Sequence, residues 1–316
     1  MKQKKLSSPG SSRDVRSRNV QVSIVVVAFN SKNDLARLLP SVFQQKGVRF
    51  EVFVVDNASQ DNTASWLKKH YPQVKLITNH QNRGFSAANN QAIKKAQGRW
   101  IFLLNPDTRL KKDCLKNLVD WFETHPEEKL AGCLLLNPDG SLQPSGGFAP
   151  TLFRLFCWTF FIDDLPLLRR FLKPYQARHL SFYRRSRPFD WLMGAALVVD
   201  RSLFEKIGFL DEKIFMYAEE VEFCYRAKKA GFSTWLIPQA QVVHWGQDPA
   251  GPRKENAVLG EYQGLKYFFQ KHRPAWQFPL LRFLLKVNAL LRLFLFGKIM
   301  QDRRLGKIYE KAFRLA

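Results

Sequence analysis

The chain has 316 residues, 46% of them hydrophobic, which is enough to bury one sizeable core; one α/β unit with appendages is expected, and a disordered chain is excluded. Fifty Lys and Arg against 27 Asp and Glu give a formal net charge of +23, a field that attracts nucleic acid, anionic lipid headgroups or phosphorylated small molecules. Cys114, Cys133, Cys157 and Cys224 lie far apart with no paired spacing, which argues against a zinc site or disulfide framework and for buried free thiols.

In chain order, residues 1–20 carry Lys2, Lys4, Lys5, Arg13, Arg16 and Arg18 against Asp14, amid Ser, Pro and Gly, and read as a flexible basic arm. The arm lacks the apolar central run of a signal peptide, so a cytoplasmic location is expected. Val22–Ala28 is a β-branched apolar run of the kind buried on both faces of a parallel sheet, and Phe29-Asn30 ends it. Helical spacing from Asn33 to Gln45 (Leu35, Leu38, Leu39, Val42) and a second apolar run from Phe50 to Val55, ending at Asp56-Asn57, complete a βαβ unit. Alternation continues with a helix over Asn62–His70, a strand over Val74–Thr78, a helix from Ser86 to Gln97 and a strand over Trp100–Leu104. Right-handed crossovers place these strands side by side, with Asn30, Asp56, Asn79 and Asn105 at the carboxyl edge, where open α/β sheets bind ligands.

Beyond residue 110 the spacing gives a helix over Asp113–Glu123, a strand over Leu130–Leu136 and an aromatic, loop-rich insert over 144–190. Further elements are a strand over Trp191–Asp200, a helix over Arg201–Ile207, a helix from Glu219 to Ala230 ended by Gly231, and a strand over Thr234–Pro238. Asp56 and Asp107 are expected to close two adjacent strands, so that both carboxylates face one crevice.

Val22–Asn30, Val54–Thr63, Asn82-Arg83-Gly84-Phe85 through Asn90, and Leu104-Asn-Pro-Asp107, in this order and spacing, resemble the family-two glycosyltransferases of GT-A fold. Trp191-Leu-Met-Gly194, Gly208–Glu212 and Phe215-Met-Tyr-Ala-Glu-Glu220-Val-Glu222 with Arg226 and Gly231 extend the likeness over about residues 21–248. Within the family the chain is most similar to bacterial rhamnosyltransferase-like enzymes of cell-surface polysaccharide synthesis. The resemblance implies an inverting transfer from a nucleotide diphosphate sugar, with dTDP-rhamnose the leading donor and a UDP-sugar the alternative, to a glycan or polyprenyl-linked hydroxyl.

It also implies site roles. Ala28, Phe29, Asn30 and Asp56 hold the nucleoside, Asp56 accepting a pyrimidine imide N–H, and Arg83 lies near the nucleotide. Asp107 matches the last aspartate of the family's Asp-x-Asp, which holds Mg2+ or Mn2+ on the diphosphate, while Asn105 replaces the first acidic residue. His244 completes the metal shell. Glu220 stands where the family has its catalytic aspartate; glutamate is one methylene longer, which leaves Glu219 as the alternative base. Three carboxylates in four residues (Glu219, Glu220, Glu222) raise at least one pKa, although an acidic first turn on a helix dipole explains the same cluster. Trp191 and Gly194 line the sugar or acceptor pocket or, as the plainer reading, belong to the core.

The last 41 residues hold nine Lys and Arg against Asp302 and Glu310, interleaved with the apolar segment Phe278–Phe296. At helical spacing Arg282, Lys286, Arg292, Arg303, Arg304, Lys307, Lys311 and Arg314 form one stripe unless Gly297 and Gly306 break it. A spanning helix would bury three of these cations, so residues 251–316 are expected to lie on an anionic membrane surface as a basic amphipathic extension, with packing on the catalytic unit (21–250) as the alternative. A nucleotidylyltransferase is disfavoured because Phe29-Asn-Ser-Lys-Asn33 is no Gly-rich phosphate loop. A nucleic-acid binder is disfavoured by the acidic residues of the crevice. A catalytically impaired relative is left open by Asn105 and Glu220, and the oligomeric state is unread.

Overall fold

The computed structural model describes residues 20–165, 168, 172–246 and 252–316; the basic arm, save for residue 20, and the boundary at 250 lie outside them. Strands β1 (Val22–Ala28), β2 (Phe50–Asp56) and β4 (Trp100–Leu104) are the apolar runs, and nearly every side chain in them is buried because helices cover both faces. With β3 (Lys75–Thr78), they pair in parallel in the order β3-β2-β1-β4, bridged by α1 (Lys32–Phe43), α2 (Thr63–His70) and α3 (Gly84–Ile93).

The sheet continues through β10 (Ala196–Asp200), β6 (Leu130–Leu136) and β11 (Thr234–His244) to β5 (Thr108–Leu110). Strand β10 runs antiparallel to β4 and β6, β11 is parallel to β6, and β5 is antiparallel to β11. The reversed β10 decides where the site falls. Its amino end, Ala196, pairs with Leu104, so the turn that precedes β10 arrives at the carboxyl edge of β4. The remaining elements are α4 (Cys114–Thr124), β7 (Gly146–Gly147), α5 (Leu152–Thr159), β8 (Arg187–Phe189), β9 (Trp191–Leu192), α6 (Arg201–Ile207), α7 (Glu219–Lys229), α8 (Pro252–His272), α9 (Gln277–Arg292) and α10 (Arg303–Leu315). All four cysteines are buried and free.

Four expectations are corrected. The strands closed by Asp56 and leading to Asp107 are not adjacent, since β1 lies between β2 and β4; Asp107 sits in the turn between β4 and β5, beyond the strand end. The run 191–200 is two strands, because Met193–Ala195 turns to reach both Ser145 and Asn105. The last strand runs to His244 with an irregularity between Ile237 and Gln241, so Pro238 is passed and His244 belongs to the sheet. The basic stripe is not continuous: α9 passes into a π-helical stretch over 293–299, the chain reverses before Arg303, and Arg292 is turned inward with its guanidinium on the Trp158 carbonyl. Gly297 and Gly306 mark this reversal. A Cβ on Gly306 would meet the Gly297 Cα at 3.2 Å, so the two glycines let α10 fold back against the end of α9.

Candidate active site

The loops after β1, β2 and β3 form a lattice of side-chain amides on backbone. Asp56 ends β2, buried, and accepts from the Ser59 N–H at 3.3 Å. Asn30 adopts φ 51°, a left-handed conformation that asparagine tolerates, which frees its Oδ1 to accept from Gln60 N–H at 2.7 Å while its own N–H reaches Ser59 Oγ. Asn57 is the hub. Its N–H bonds the Ala28 carbonyl, its Nδ2 donates to Asn82 Oδ1 at 2.7 Å, and its Oδ1 accepts from the Arg83 N–H at 3.0 Å. The loops after β1, β2 and β3 are thus tied into one wall, with Phe29 and Arg83 exposed on it. Gly84 has φ +80°, and a Cβ there would lie 2.5 Å from the Phe215 carbonyl, which is why the start of α3 can touch the loop before α7.

At the centre, His244 Nε2 stands 3.5 Å from Asp107 Oδ1, both residues buried. Gln143 Oε1 lies 2.7 Å from His244 Nδ1, and the Gln143 amide is oriented by donating to Asn137 Oδ1 at 2.9 Å. That orientation puts an amide oxygen on Nδ1 and sets Nε2 beside Asp107. One hard carboxylate oxygen and one imidazole nitrogen at this separation fit a divalent cation, since two bonds of about 2.1 Å span up to roughly 4.2 Å. No cluster of three His, Cys, Asp or Glu that could hold a metal exists among the described residues, so of these residue types the site offers the pair alone. Asn105 is held by backbone bonds, its N–H on Ala195 and its carbonyl accepting from Thr108 Oγ1 at 2.6 Å.

Gly194, in the turn whose Ala195 carbonyl accepts the Asn105 N–H, lets the acids of α7 come close. A Cβ built on it would lie 3.7 Å from the Glu220 Cβ and 3.9 Å from a Glu219 carboxylate oxygen. Glu219 and Glu220 open α7, preceded by Tyr217 (φ 71°) and Ala218 (φ 69°), two successive non-glycine residues in the left-handed region, a strained backbone that surrounding structure must hold. Helix α8 holds it. Its Gly260 and Gly264 face this loop so closely that a Cβ would meet the Tyr217 ring at 2.4 Å and the Ala218 Cβ at 2.4 Å. Burial pushes the Glu220 carboxyl up to about 7, and the nearby Glu261 of α8 adds to the rise. Burial, then the charge of Glu220, holds Glu219 well above the usual carboxylate range, and its buried Oε2 finds no hydrogen-bond partner among the described residues.

Glu222, third of the acidic cluster, faces away from this chemistry. It is fully buried in a network with Arg226 (two bonds of 2.9 Å), Lys271 (2.8 Å) and His272 (3.0 Å), which joins α7 to α8. Asp211 joins the same layer: burial works to raise its pKa, but bonds from Lys271 and Tyr267 prevail and hold it at about 2. Trp191 is in the core, its ring 5.8 Å from Tyr175 and against Gly147, with Nε1 unpartnered among the described residues. Sequence reasoning missed Asn57, Gln143, Glu261 and the glycine face of α8. Only the last left a signal, the spacing Gly260-x-x-x-Gly264.

A mostly parallel sheet covered on both faces, with a polar loop wall and a carboxylate–imidazole pair on its carboxyl edge, has the architecture of a GT-A transferase. The chain belongs to Glycosyl transferase family 2, which matches residues 23–193. It is similar to the N-acetylglucosaminyl-diphospho-decaprenol L-rhamnosyltransferase of Mycobacterium tuberculosis, 29% identical over 85% of this chain and 90% of the relative. It is also similar to the low-salt glycan biosynthesis hexosyltransferase of Haloferax volcanii, 30% identical over 70% of this chain and 65% of that one. In fold it resembles the mannosyltransferase of Pyrobaculum calidifontis solved with GDP-Man and Mn2+ (TM-score 0.57, 18% identity, 94% of this chain and 84% of that). S. aureus TarS 1-349 is likewise similar (TM-score 0.53, 16% identity, 93% and 90%).

Proposed function

We propose that this glycosyltransferase moves a sugar, with inversion, from a nucleoside diphosphate to a hydroxyl of a lipid-linked glycan in cell-surface polysaccharide synthesis, working on the inner face of the cell membrane. The observations that carry the reading are the buried Asp107–His244 pair after β4 and, beside Gly194 in the turn that Asn105 bonds through Ala195, two carboxyls of raised pKa. Asp56 and the Ala28–Asn30 segment receive the nucleoside, and Arg83 lies beside its phosphates. Asp107 and His244 hold Mg2+ or Mn2+, which supplies charge neutralisation for the departing diphosphate when bound. Glu220, whose carboxyl ionises around pH 7, takes the proton as the acceptor oxygen bonds to the anomeric carbon and the bond to the diphosphate oxygen breaks. Glu219, its carboxyl held above the usual range by burial and by the charge of Glu220, lies beside it as the alternative base. Attack opposite the leaving group in one displacement inverts the centre, with no covalent enzyme intermediate.

The mycobacterial relative's name supports rhamnose, from dTDP-rhamnose, and a polyprenyl-diphosphate-linked acceptor. Residues 21–250 carry the chemistry, and 251–316 meet an anionic membrane surface. A screen of purified protein with Mn2+ or Mg2+ against sugar nucleotides, reading released TDP, UDP or GDP, tests the reading. Release from one donor, lost in Asp107→Ala and Glu220→Gln, is expected. Release that survives both substitutions overturns the roles given to Asp107 and Glu220; nucleotide binding with no turnover on any donor and a polyprenyl-linked acceptor overturns the reading in favour of an impaired relative.

A further inference from the structure

Helix α9 has three faces. Leu281, Leu284, Leu285, Asn288, Ala289 and Arg292 are buried against the body of the protein. Arg282 and Lys286 lie beside α10, Arg282 Nε on the Ala316 carbonyl and the Lys286 ammonium over the Phe313 ring. The third face points outward and is apolar throughout: Trp276, Leu280, Phe283, Val287, Leu290 and Phe294 recur every three or four residues along one side. Phe283 and Trp276 are each 64% exposed, and among described residues no helix is long and apolar enough to cross a membrane.

The face does not end with α9. Helix α5 packs alongside and turns Phe153, Phe156 and Phe160 outward, and a shallow groove of about 300 Å³ between the two helices is lined by Leu152, Phe153, Phe156, Leu280, Phe283 and Leu284. On the other flank, α10 presents Arg303, Arg304, Lys307, Lys311 and Arg314 to solvent, against its capping Asp302, Glu310 and Glu255 of α8. A contiguous apolar ridge on a soluble surface requires a cover. The cationic flank selects it, because a second copy would set like charges side by side, whereas an anionic headgroup layer over a hydrocarbon boundary matches both rows. A tryptophan at the end of the apolar row suits the same boundary.

We infer that the α5–α9 ridge is the membrane-insertion surface of this protein, seating Phe153, Phe156, Leu280 and Phe283 at the acyl boundary of an anionic bilayer while the outward row of α10 contacts its headgroups. This rests on the membrane reading above and replaces a single basic stripe with two rows of different chemistry. The ridge is also tied to the base. Trp158 of α5 packs on Tyr175 (rings 5.7 Å apart), and Tyr175 bonds Glu261 beside Glu220.

Co-sedimentation of the full chain with phosphatidylcholine vesicles, with and without phosphatidylglycerol, tests the surface. Binding that needs phosphatidylglycerol is expected, weakened about tenfold or more in Phe283→Glu/Leu290→Glu and retained in Phe283→Leu. Arg304→Glu/Lys307→Glu should weaken it while leaving nucleotide affinity and melting temperature unchanged, which separates surface loss from misfolding. Brominated lipid should quench a tryptophan signal that is missing in Trp276→Phe. Equal vesicle binding by Phe283→Glu/Leu290→Glu and wild type overturns the proposal. So does a dimer dissolved by that variant in a protein that binds no vesicles. A protein that turns over its donor without binding vesicles loses this inference but keeps its function; one that binds vesicles through the ridge without turnover keeps the inference and loses the function.

Discussion

The two walls of the crevice are built on different principles. The proposed donor wall, residues 22–110, is regular βαβ structure whose loops are fixed by side-chain amides, and each of these bonds is local to the sheet edge. The proposed base wall depends on a helix from more than thirty residues downstream, since the left-handed Tyr217-Ala218 pair that precedes Glu219 and Glu220 is pressed into place by Gly260 and Gly264. The first wall is preorganised by hydrogen bonding and the second by packing. Substitutions should therefore fail differently on the two sides.

The largest effect is expected at the junction between the walls. Asp107→Ala removes the one carboxylate beside the His244 Nε2 and should lower kcat/KM by at least about 10^3-fold, roughly 4 kcal/mol of transition-state stabilisation, with the remaining rate insensitive to Mn2+. Steady-state kinetics with and without metal check this.

On the base wall, Glu220→Gln should cost about 10^2–10^4-fold in kcat while nucleotide affinity holds. Its stability effect has the opposite sign. The folded state keeps the Glu220 proton up to about 7 and the unfolded state releases it near 4.5, so native stability is lost as pH rises through that window. The glutamine variant escapes the loss. It should melt higher than wild type near pH 8, by up to about 3 kcal/mol, and the difference should vanish near pH 4.

Gly264→Ala tests whether packing alone positions the base. The new methyl meets the Ala218 Cβ at 2.4 Å, so the loop or α8 must shift, at a cost of about 1–3 kcal/mol. A fall in kcat with unchanged nucleotide affinity in calorimetry would sharpen the contrast; a fall in both would erase it. Gln143→Leu probes the junction more gently. Freed of its partner, His244 can rotate or change tautomer, and the Mn2+ concentration for half-maximal activity should rise about 10–100-fold.

Legibility followed the same division. The strands to Leu104 and the positions of Asn30 and Asp56 could be read because periodicity and turn residues are local signals, and helix α7 could be read from its acidic start and Gly231. The order of the strands could not be, because β1 lies between β2 and β4 only through crossover topology, and the reversal of β10 that carries Gly194 to the site has no local mark. His244 seemed to follow a strand because Pro238 looked like its end; the irregularity after Ile237 lets the pairing with β6 resume at Gln241. Glu261 was illegible for a stronger reason. Its role comes from proximity to Glu220 across two helices, and its own neighbours in sequence are those of any helix.

Glu261→Gln gives the smallest effect and the most discriminating one. If Glu220 is the base, kcat/KM rises with pH as its carboxyl ionises, around 7 in the wild type. Burial is the main cause of that value, and the negative charge of Glu261 adds to it, so neutralising Glu261 should move the rise to lower pH by less than about one unit, still well above 4.5. Glu222→Gln is the paired control. Its carboxylate is engaged by Arg226, Lys271 and His272, so it should lower the melting temperature and leave the pH limb where it was. A limb that moves with Glu222 and not with Glu261 would mean that the α7–α8 network, and not the acid beside the base, sets the ionisation of Glu220.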